Sequence, residues 1–142
     1  MTCFEQIFFF FAGYGSTETT GGVVGMMRQD LQIGHAGYPL EGSRIRLENW
    51  EEGGYTNEDK PYPRGEILIG GESVAKGYYK LNEETKETFF KDKEGIQWFR
   101  TGDIGEIDER GSIKIIDRKK DLAKLPNGEY LSLGKVTTPL FV

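Results

Sequence analysis

Two stretches of the chain carry side chains whose types and spacing could do chemistry. The first runs from Thr101-Gly102-Asp103-Ile104-Gly105-Glu106 to Ile115-Ile116-Asp117-Arg118-Lys119-Lys120-Asp121. Two apolar-alternating runs flank Asp108-Glu109-Arg110-Gly111 and read as strands joined by an acidic, glycine-closed turn. Such a hairpin can bring an aspartate that precedes it, Asp103, next to an arginine that follows it, Arg118. A carboxylate that accepts from sugar hydroxyls, with a cation beside a ribose or phosphate, would make a nucleotide-facing pair. The plain alternative is a surface hairpin bearing ordinary solvated charges.

The second stretch is Gly13-Tyr14-Gly15-Ser16-Thr17-Glu18-Thr19-Thr20-Gly21-Gly22. Glycines, hydroxyls and one carboxylate fit a loop on the phosphate side of a site, because backbone N–H groups can approach an anion where no Cβ obstructs them. There Thr17 could bond a phosphate oxygen, Glu18 could hold Mg²⁺, and Tyr14 could stack on a base. Two familiar phosphate motifs fail. A dinucleotide fingerprint needs glycine where Glu18 stands, and a Walker A loop needs Gly-Lys-Ser/Thr, which neither this stretch nor Gly134-Lys135-Val136 supplies. A glycine-rich turn without a ligand is the competing reading.

The elements that would position these groups are short. The chain has 142 residues, 37% hydrophobic and 29% charged, with net charge −5. That length fits one domain, or a small domain with part of another. The acidic balance argues against general nucleic-acid binding, which leaves a basic footprint. Twenty glycines against five prolines imply many tight turns between short strands. A single Cys3 excludes an intrachain disulfide framework and a cysteine zinc cluster, and a single His35, in a glycine loop, fits a structural role. The longest apolar run, residues 7–12, is too short for a membrane helix or a signal-peptide core, so a reducing, cytosolic-side compartment is the default.

Along the chain, residues 7–12 read as a buried strand that something must cover. Residues 34–47 read as a loop and a strand, 49–63 as a polar surface loop, and 65–71 as a glycine-bounded strand. Val74 to Tyr79 reads as strand or turn, and 82–90 as a helix with Asn82 as its N-cap and acids in its first turn. Residues 96–100 form a strand with Trp98 and Phe99 on opposite faces, and 122–133 a hairpin turning at Pro126-Asn127-Gly128. Several short strands and one helix predict a mostly β, α+β chain built on a small barrel or sandwich.

Three blocks together carry a resemblance. Tyr14-Gly15-Ser16-Thr17-Glu18-Thr19, then Arg64-Gly65-Glu66-Ile67 with Gly77-Tyr78-Tyr79, then Trp98 to Asp103 through Asp117-Arg118-Lys119-Lys120-Asp121 stand in the order and spacing of adenylate-forming enzymes. Ile115 to Leu122 and Gly128-Glu129-Tyr130-Leu131-Ser132-Leu133-Gly134-Lys135-Val136 resemble the long-chain fatty acid–CoA ligases within that superfamily, and Trp50 to Tyr55 a subgroup associated with polyunsaturated chains. The resemblance implies ATP-dependent adenylation of a fatty carboxylate, then thioester formation with CoA. It implies that Tyr14 lies against the adenine, that Gly15 belongs to the nucleotide-binding set, that Thr17 touches phosphate, and that Glu18 ligates Mg²⁺. Asp103 and Arg118 would bond the ribose, and Lys120 with Asp121 would form the hinge of a small C-terminal domain. Ser16 departs from the leucine usual in long-chain ligases.

The same resemblance divides the chain into a divergent apolar start (1–12), the β-barrel-like part of the large AMP-binding domain (13–116), a hinge (117–121) and the opening hairpin of the C-terminal domain (122–142). The family's upstream phosphate loop with its lysine, most of its acyl tunnel and its late catalytic lysine do not occur in these residues. The expectation is therefore a fragment, inactive in isolation. For the intact enzyme the resemblance implies the cytosolic face of the endoplasmic reticulum or mitochondrial outer membrane, reached through other segments. A non-catalytic β-rich binding or regulatory module, and a part of another adenylating enzyme such as a coumarate-type ligase, are the alternatives.

Overall fold

The strand at the centre of the fold is the one whose sequence is most continuously apolar. β5 (Arg64–Gly71) buries every residue from Gly65 to Gly70, and Ile67, Leu68 and Ile69 are completely inaccessible. The apolar run Ile67 to Ile69 between glycines marks a strand covered on both faces, and Glu66 is the one charged side chain buried with it. In this computed structural model, residues 12–27, 30, 32–126 and 130–132 are described. The apolar start over 1–11, the tip of the last hairpin over 127–129 and the stretch 133–142 lie outside the described residues.

β5 pairs antiparallel with β4 (Ser43–Glu48) on one side and with β7 (Gln97–Ile107) on the other. The far edge of β7 is shared by β6 (Phe89–Lys91) along its first part and β8 (Ile113–Arg118) along its second. A second sheet is formed by β1 (Gly13–Ser16), β2 (Gly21–Gly25) and β3 (Tyr38–Pro39). The two sheets are stitched at residues 36–37, where Ala36 N–H donates to the Ile113 carbonyl at 2.7 Å and Ile113 N–H to the Gly37 carbonyl at 2.8 Å. Val23 and Val24 of β2, Ile67 and Ile69 of β5, Phe99 of β7 and Ile113 of β8 form the core between them, with Phe89 and Val74.

The mostly β expectation holds, and the barrel does not close. β4 is an open edge among the described residues, and its charged Arg44 and Arg46 suit an edge rather than a barrel seam. The turn at Asp108 to Gly111 is as expected, with Asp108 Oδ1 accepting from the N–H groups of Arg110 (2.9 Å) and Ser112 (2.8 Å). Trp98 and Phe99 do face opposite ways: Phe99 enters the core, while Trp98 lies beneath Arg46, 4.3 Å from the guanidinium, and donates to Asp92 at 2.7 Å.

Other local readings change. Residues 13–22 form the β1–β2 hairpin around a short turn, Thr17–Thr19, rather than an open loop. For residues 74–79 the turn alternative holds, as bends and a turn without a strand. The helix α1 is Asn82–Thr88, and its N-cap is Leu81 without a side-chain cap; Asn82 already lies inside the helix. Phe89 and Phe90 leave it for β6, because Phe89 is drawn into the core. The final hairpin, β9 (Leu122–Lys124) and β10 (Tyr130–Ser132), is antiparallel as expected.

Shortening Ile67 removes apolar volume at the centre of this core. Ile67→Ala is expected to cost about 2–5 kcal/mol of folding stability, read from the urea midpoint.

Candidate functional site

The site begins at an irregularity in β7. The β5–β7 ladder runs from Leu68↔Arg100 directly to Glu66↔Ile104, so Thr101, Gly102 and Asp103 bulge out opposite Ile67. Gly102 takes φ +72, a left-handed conformation that glycine adopts without strain. Bulges of this kind re-aim side chains, and their unpaired backbone groups need other partners. Thr101 Oγ1 donates to the Ile67 carbonyl at 2.8 Å and accepts from Asp103 N–H at 3.0 Å, while Gly102 N–H donates to Glu66 Oε1 at 3.0 Å.

The bulge turns Asp103 towards β1 and β8. Asp103 is 7% exposed. Its Oδ2 accepts from the Tyr14 hydroxyl at 2.7 Å, and its Oδ1 from Arg118 Nε at 2.8 Å. The Arg118 contact is a consequence of register, since Asp103 and Arg118 are paired across the β7–β8 ladder. Burial pushes the Tyr14 phenol well above its ordinary range, and the adjacent Asp103 adds to this. The hydrogen bond to Asp103 also holds the Arg118 guanidinium in its charged form. A carboxylate offers about four lone-pair positions, so Asp103 keeps acceptor capacity for a diol while both partners stay in place.

Beneath the bulge sits a second ion pair, which was not assigned to the site from the sequence. Glu66, 5% exposed, accepts from Gly102 N–H through one oxygen and from Lys119 Nζ at 2.5 Å through the other. Lys119, Lys120 and Asp121 form a short turn between β8 and β9, with Lys119 Nζ also 5.2 Å from the Trp50 ring centre. Past that turn, Tyr130 packs edge-on against Trp50 at 5.2 Å and Lys124 Nζ reaches Glu52 at 2.7 Å. The link is thus held on both sides by contacts to the 49–63 loop and to β5.

On the opposite wall, Glu18 lies in the turn between β1 and β2. Its Oε1 accepts from the Tyr78 hydroxyl at 2.7 Å, which lowers its pKa. The Tyr78 phenol is pushed up to about 12 by burial and by this carboxylate.

These groups line one cavity of about 710 Å³. Of the residues singled out from sequence, Tyr14, Gly15, Glu18, Asp103, Arg118 and Lys120 border it. Thr17 instead lines a neighbouring cavity of about 480 Å³, which shares Tyr14, Gly15 and Ser16. Asp121 does not border the cavity and is exposed in the turn after it. The residues missed were Glu66, Lys119, Thr101 and Tyr78. A glutamate inside an otherwise apolar strand was the signal for the first of these. Among the described residues, no three or more His, Cys, Asp or Glu side chains cluster as a protein-only metal site would require. A single carboxylate on a cavity wall does fit Mg²⁺, which takes one or two carboxylates and completes its shell with phosphate oxygens and water.

Comparison with known proteins gives the family. Residues 1–79 match the AMP-binding enzyme family, and the chain belongs to that family. It is 49% identical over 128 residues to long chain acyl-CoA synthetase 8 of Arabidopsis thaliana, which covers 90% of this chain and 18% of that protein. It is 44% identical over 124 residues to the peroxisomal long chain acyl-CoA synthetase 7 of the same plant, covering 87% of this chain and 17% of that one. The solved O-succinylbenzoate coenzyme A synthetase of Bacillus subtilis, in complex with ATP and magnesium ion, superposes with a TM-score of 0.71 at 30% identity, over 92% of this chain and 26% of that one. The chain spans less than a fifth of the length of the two plant relatives.

The raised tyrosines predict a pH response. A phenol whose folded pKa lies above the unfolded value of about 10 keeps its proton where the unfolded chain has lost it. Its stabilisation is complete below about pH 10 and is lost as pH rises towards the folded value. For Tyr78 that window runs from the ordinary 10.0 to about 12, and Tyr14 acts in the same direction. The urea midpoint is expected to fall across this window, and to fall less steeply in Tyr78→Phe.

Proposed function

We propose that this chain is the ribose-binding and hinge segment of an ATP-dependent long-chain fatty acid–CoA ligase. The observation that carries the reading is the buried Asp103 carboxylate, fixed between Tyr14 and Arg118 on the cavity wall. In this reading the adenosine sits with its ribose hydroxyls on Asp103 and Arg118 and its base against Tyr14 and Gly15. Charge-assisted bonds from a fixed carboxylate are the strong kind, and they need no reorganisation on binding. Glu18 faces the phosphates and holds Mg²⁺, and Thr17 bonds phosphate from the adjoining cavity. The metal supplies charge neutralisation on the phosphates; the chain's own residues bind and orient.

Residues 13–116 then belong to the large AMP-binding domain, 117–121 to the hinge, and the β9–β10 hairpin to the start of a small domain. Lys120 and Asp121 are the positions that absorb the backbone change when that domain turns between adenylation and attack by CoA. The fatty carboxylate, ATP and CoA are the proposed substrates. No helix among the described residues is long and apolar enough to cross a membrane. We place the intact ligase on the cytosolic face of the endoplasmic reticulum or mitochondrial outer membrane, attached through other segments; two plant relatives are peroxisomal by name.

The test is a chimera in which residues 13–132 replace the matching segment of long chain acyl-CoA synthetase 8. It is expected to form acyl-CoA from a long-chain fatty acid. Asp103→Asn in that chimera is expected to lower kcat/KM for ATP by about 100-fold, since a charged hydrogen bond contributes about 1.5–3 kcal/mol. A folded chimera on which Asp103→Asn has no effect contradicts the assignment. The 142-residue chain alone is expected to release no pyrophosphate, because it covers only 18% of that relative.

A further inference from the structure

We propose that Tyr78 is a positioning residue that leaves Glu18 one oxygen for a metal, and so sets the site's preference for Mg²⁺ over Ca²⁺. The inference rests on the reading of Glu18 as the metal-facing carboxylate.

Three bonds strap the connection between β5 and α1 onto the turn that carries Glu18. Tyr78 Oη donates to Glu18 Oε1 at 2.7 Å, Ala75 N–H to the Glu18 carbonyl at 2.8 Å, and Thr20 Oγ1 to the Ser73 carbonyl at 2.8 Å. Tyr78 is itself held from three sides. Its ring meets Phe89 edge-on at 5.2 Å, and Phe89 packs on Phe99 at 5.4 Å in the core. Its backbone N–H donates to Thr85 Oγ1 at 2.9 Å, and that hydroxyl is tied back to the Leu81 carbonyl at 2.6 Å. The preceding Gly77, at φ +149, lets the chain pass so close to Thr85 that a Cβ there would lie 2.3 Å from Thr85 Cγ2. The phenol is therefore delivered to Glu18 by the fold and not by a mobile side chain.

The consequence lies in coordination chemistry. Mg²⁺ is small, octahedral and takes a carboxylate through one oxygen, whereas Ca²⁺ is larger and accepts carboxylates through both. A neutral donor fixed on Oε1 competes with two-oxygen coordination and leaves one-oxygen coordination intact. A phenol is protonated, and so a donor, throughout the neutral range. The Ser16 hydroxyl makes a smaller contribution to the same carboxylate. Second partners of metal ligands commonly alter affinity by about 10- to 100-fold when removed.

The experiment uses the ligase chimera with ATP, and Mn²⁺ as a spectroscopic probe. Free Mn²⁺ is followed by electron paramagnetic resonance while Mg²⁺ or Ca²⁺ competes, with circular dichroism confirming the fold. Tyr78→Phe keeps the ring against Phe89 and is expected to narrow the Mg²⁺-over-Ca²⁺ preference by about tenfold. Thr85→Val, which releases the Tyr78 amide, is expected to move the ratio in the same direction. Ile113→Val, which changes core packing at a residue that is none of the holders of Tyr78 named above, is expected to leave it within about twofold, so that a shift like that of Tyr78→Phe would overturn the proposal. An unchanged ratio in Tyr78→Phe, with Glu18→Gln still weakening the metal, would overturn the proposal alone. Metal affinity unaffected by Glu18→Gln would overturn the reading of Glu18 itself.

Discussion

The site depends on one buried carboxylate being reached from three strands. Asp103 leaves the β5–β7 ladder at the bulge, accepts from Tyr14 on β1, and accepts from Arg118 at the end of β8. An unpartnered carboxylate at 7% exposure would be costly, so each contact is also a condition on the fold. Moving β1 would strip the phenol from Asp103, and moving β8 would strip the guanidinium. The neighbouring Glu66 repeats the pattern, with one oxygen on the bulge backbone and the other on Lys119 in the link. Through these two carboxylates the bulge, the first hairpin and the turn leading into β9 are mechanically connected.

That connection gives the link a dual character. Arg118 and Lys119 are anchored to residues of the large sheet, whereas Lys120 and Asp121 are exposed and make neither of those contacts. In the proposed reading, a backbone rotation after Lys119 would redirect the β9–β10 hairpin without disturbing the Asp103–Arg118 pair. That hairpin is docked on Trp50 and Glu52 through Lys124 with Glu52 and Tyr130 with Trp50, the first of these an exposed ion pair. Exposed ion pairs contribute little stability each, which suits the release that the proposed hinge would require.

Much of this was legible in the sequence. The Asp108 to Gly111 turn and the alternating runs beside it set the β7–β8 pairing as far as Gly105 opposite Ile115, and a one-residue shift beyond it, which the sequence does not signal, brings Asp103 opposite Arg118 rather than Asp117. The glycine-bounded apolar run marked the central strand for the same reason, as periodicity reports burial directly. The bulge was not legible. Thr101-Gly102-Asp103 reads as the continuation of a strand, and only the ladder shows that these residues oppose Ile67 alone. Glu66 and Tyr78 were missed because their partners, Lys119 and Glu18, lie 53 and 60 residues away. Asn82 was a reasonable cap by type, but its position was taken by Leu81, one residue earlier. The barrel expected from strand count stays open because closure depends on edges meeting, which strand count does not report.

The most direct measurement is an amide chemical-shift titration of the 142-residue chain with AMP. Binding of the ribose at the Asp103 carboxylate predicts saturable shifts at Tyr14, Gly102, Asp103 and Arg118, the residues that meet at the bulge. Shifts confined to the separate cavity lined by Arg44, Lys76 and Lys91, with the amides of Asp103 and its partners unmoved, would contradict the account.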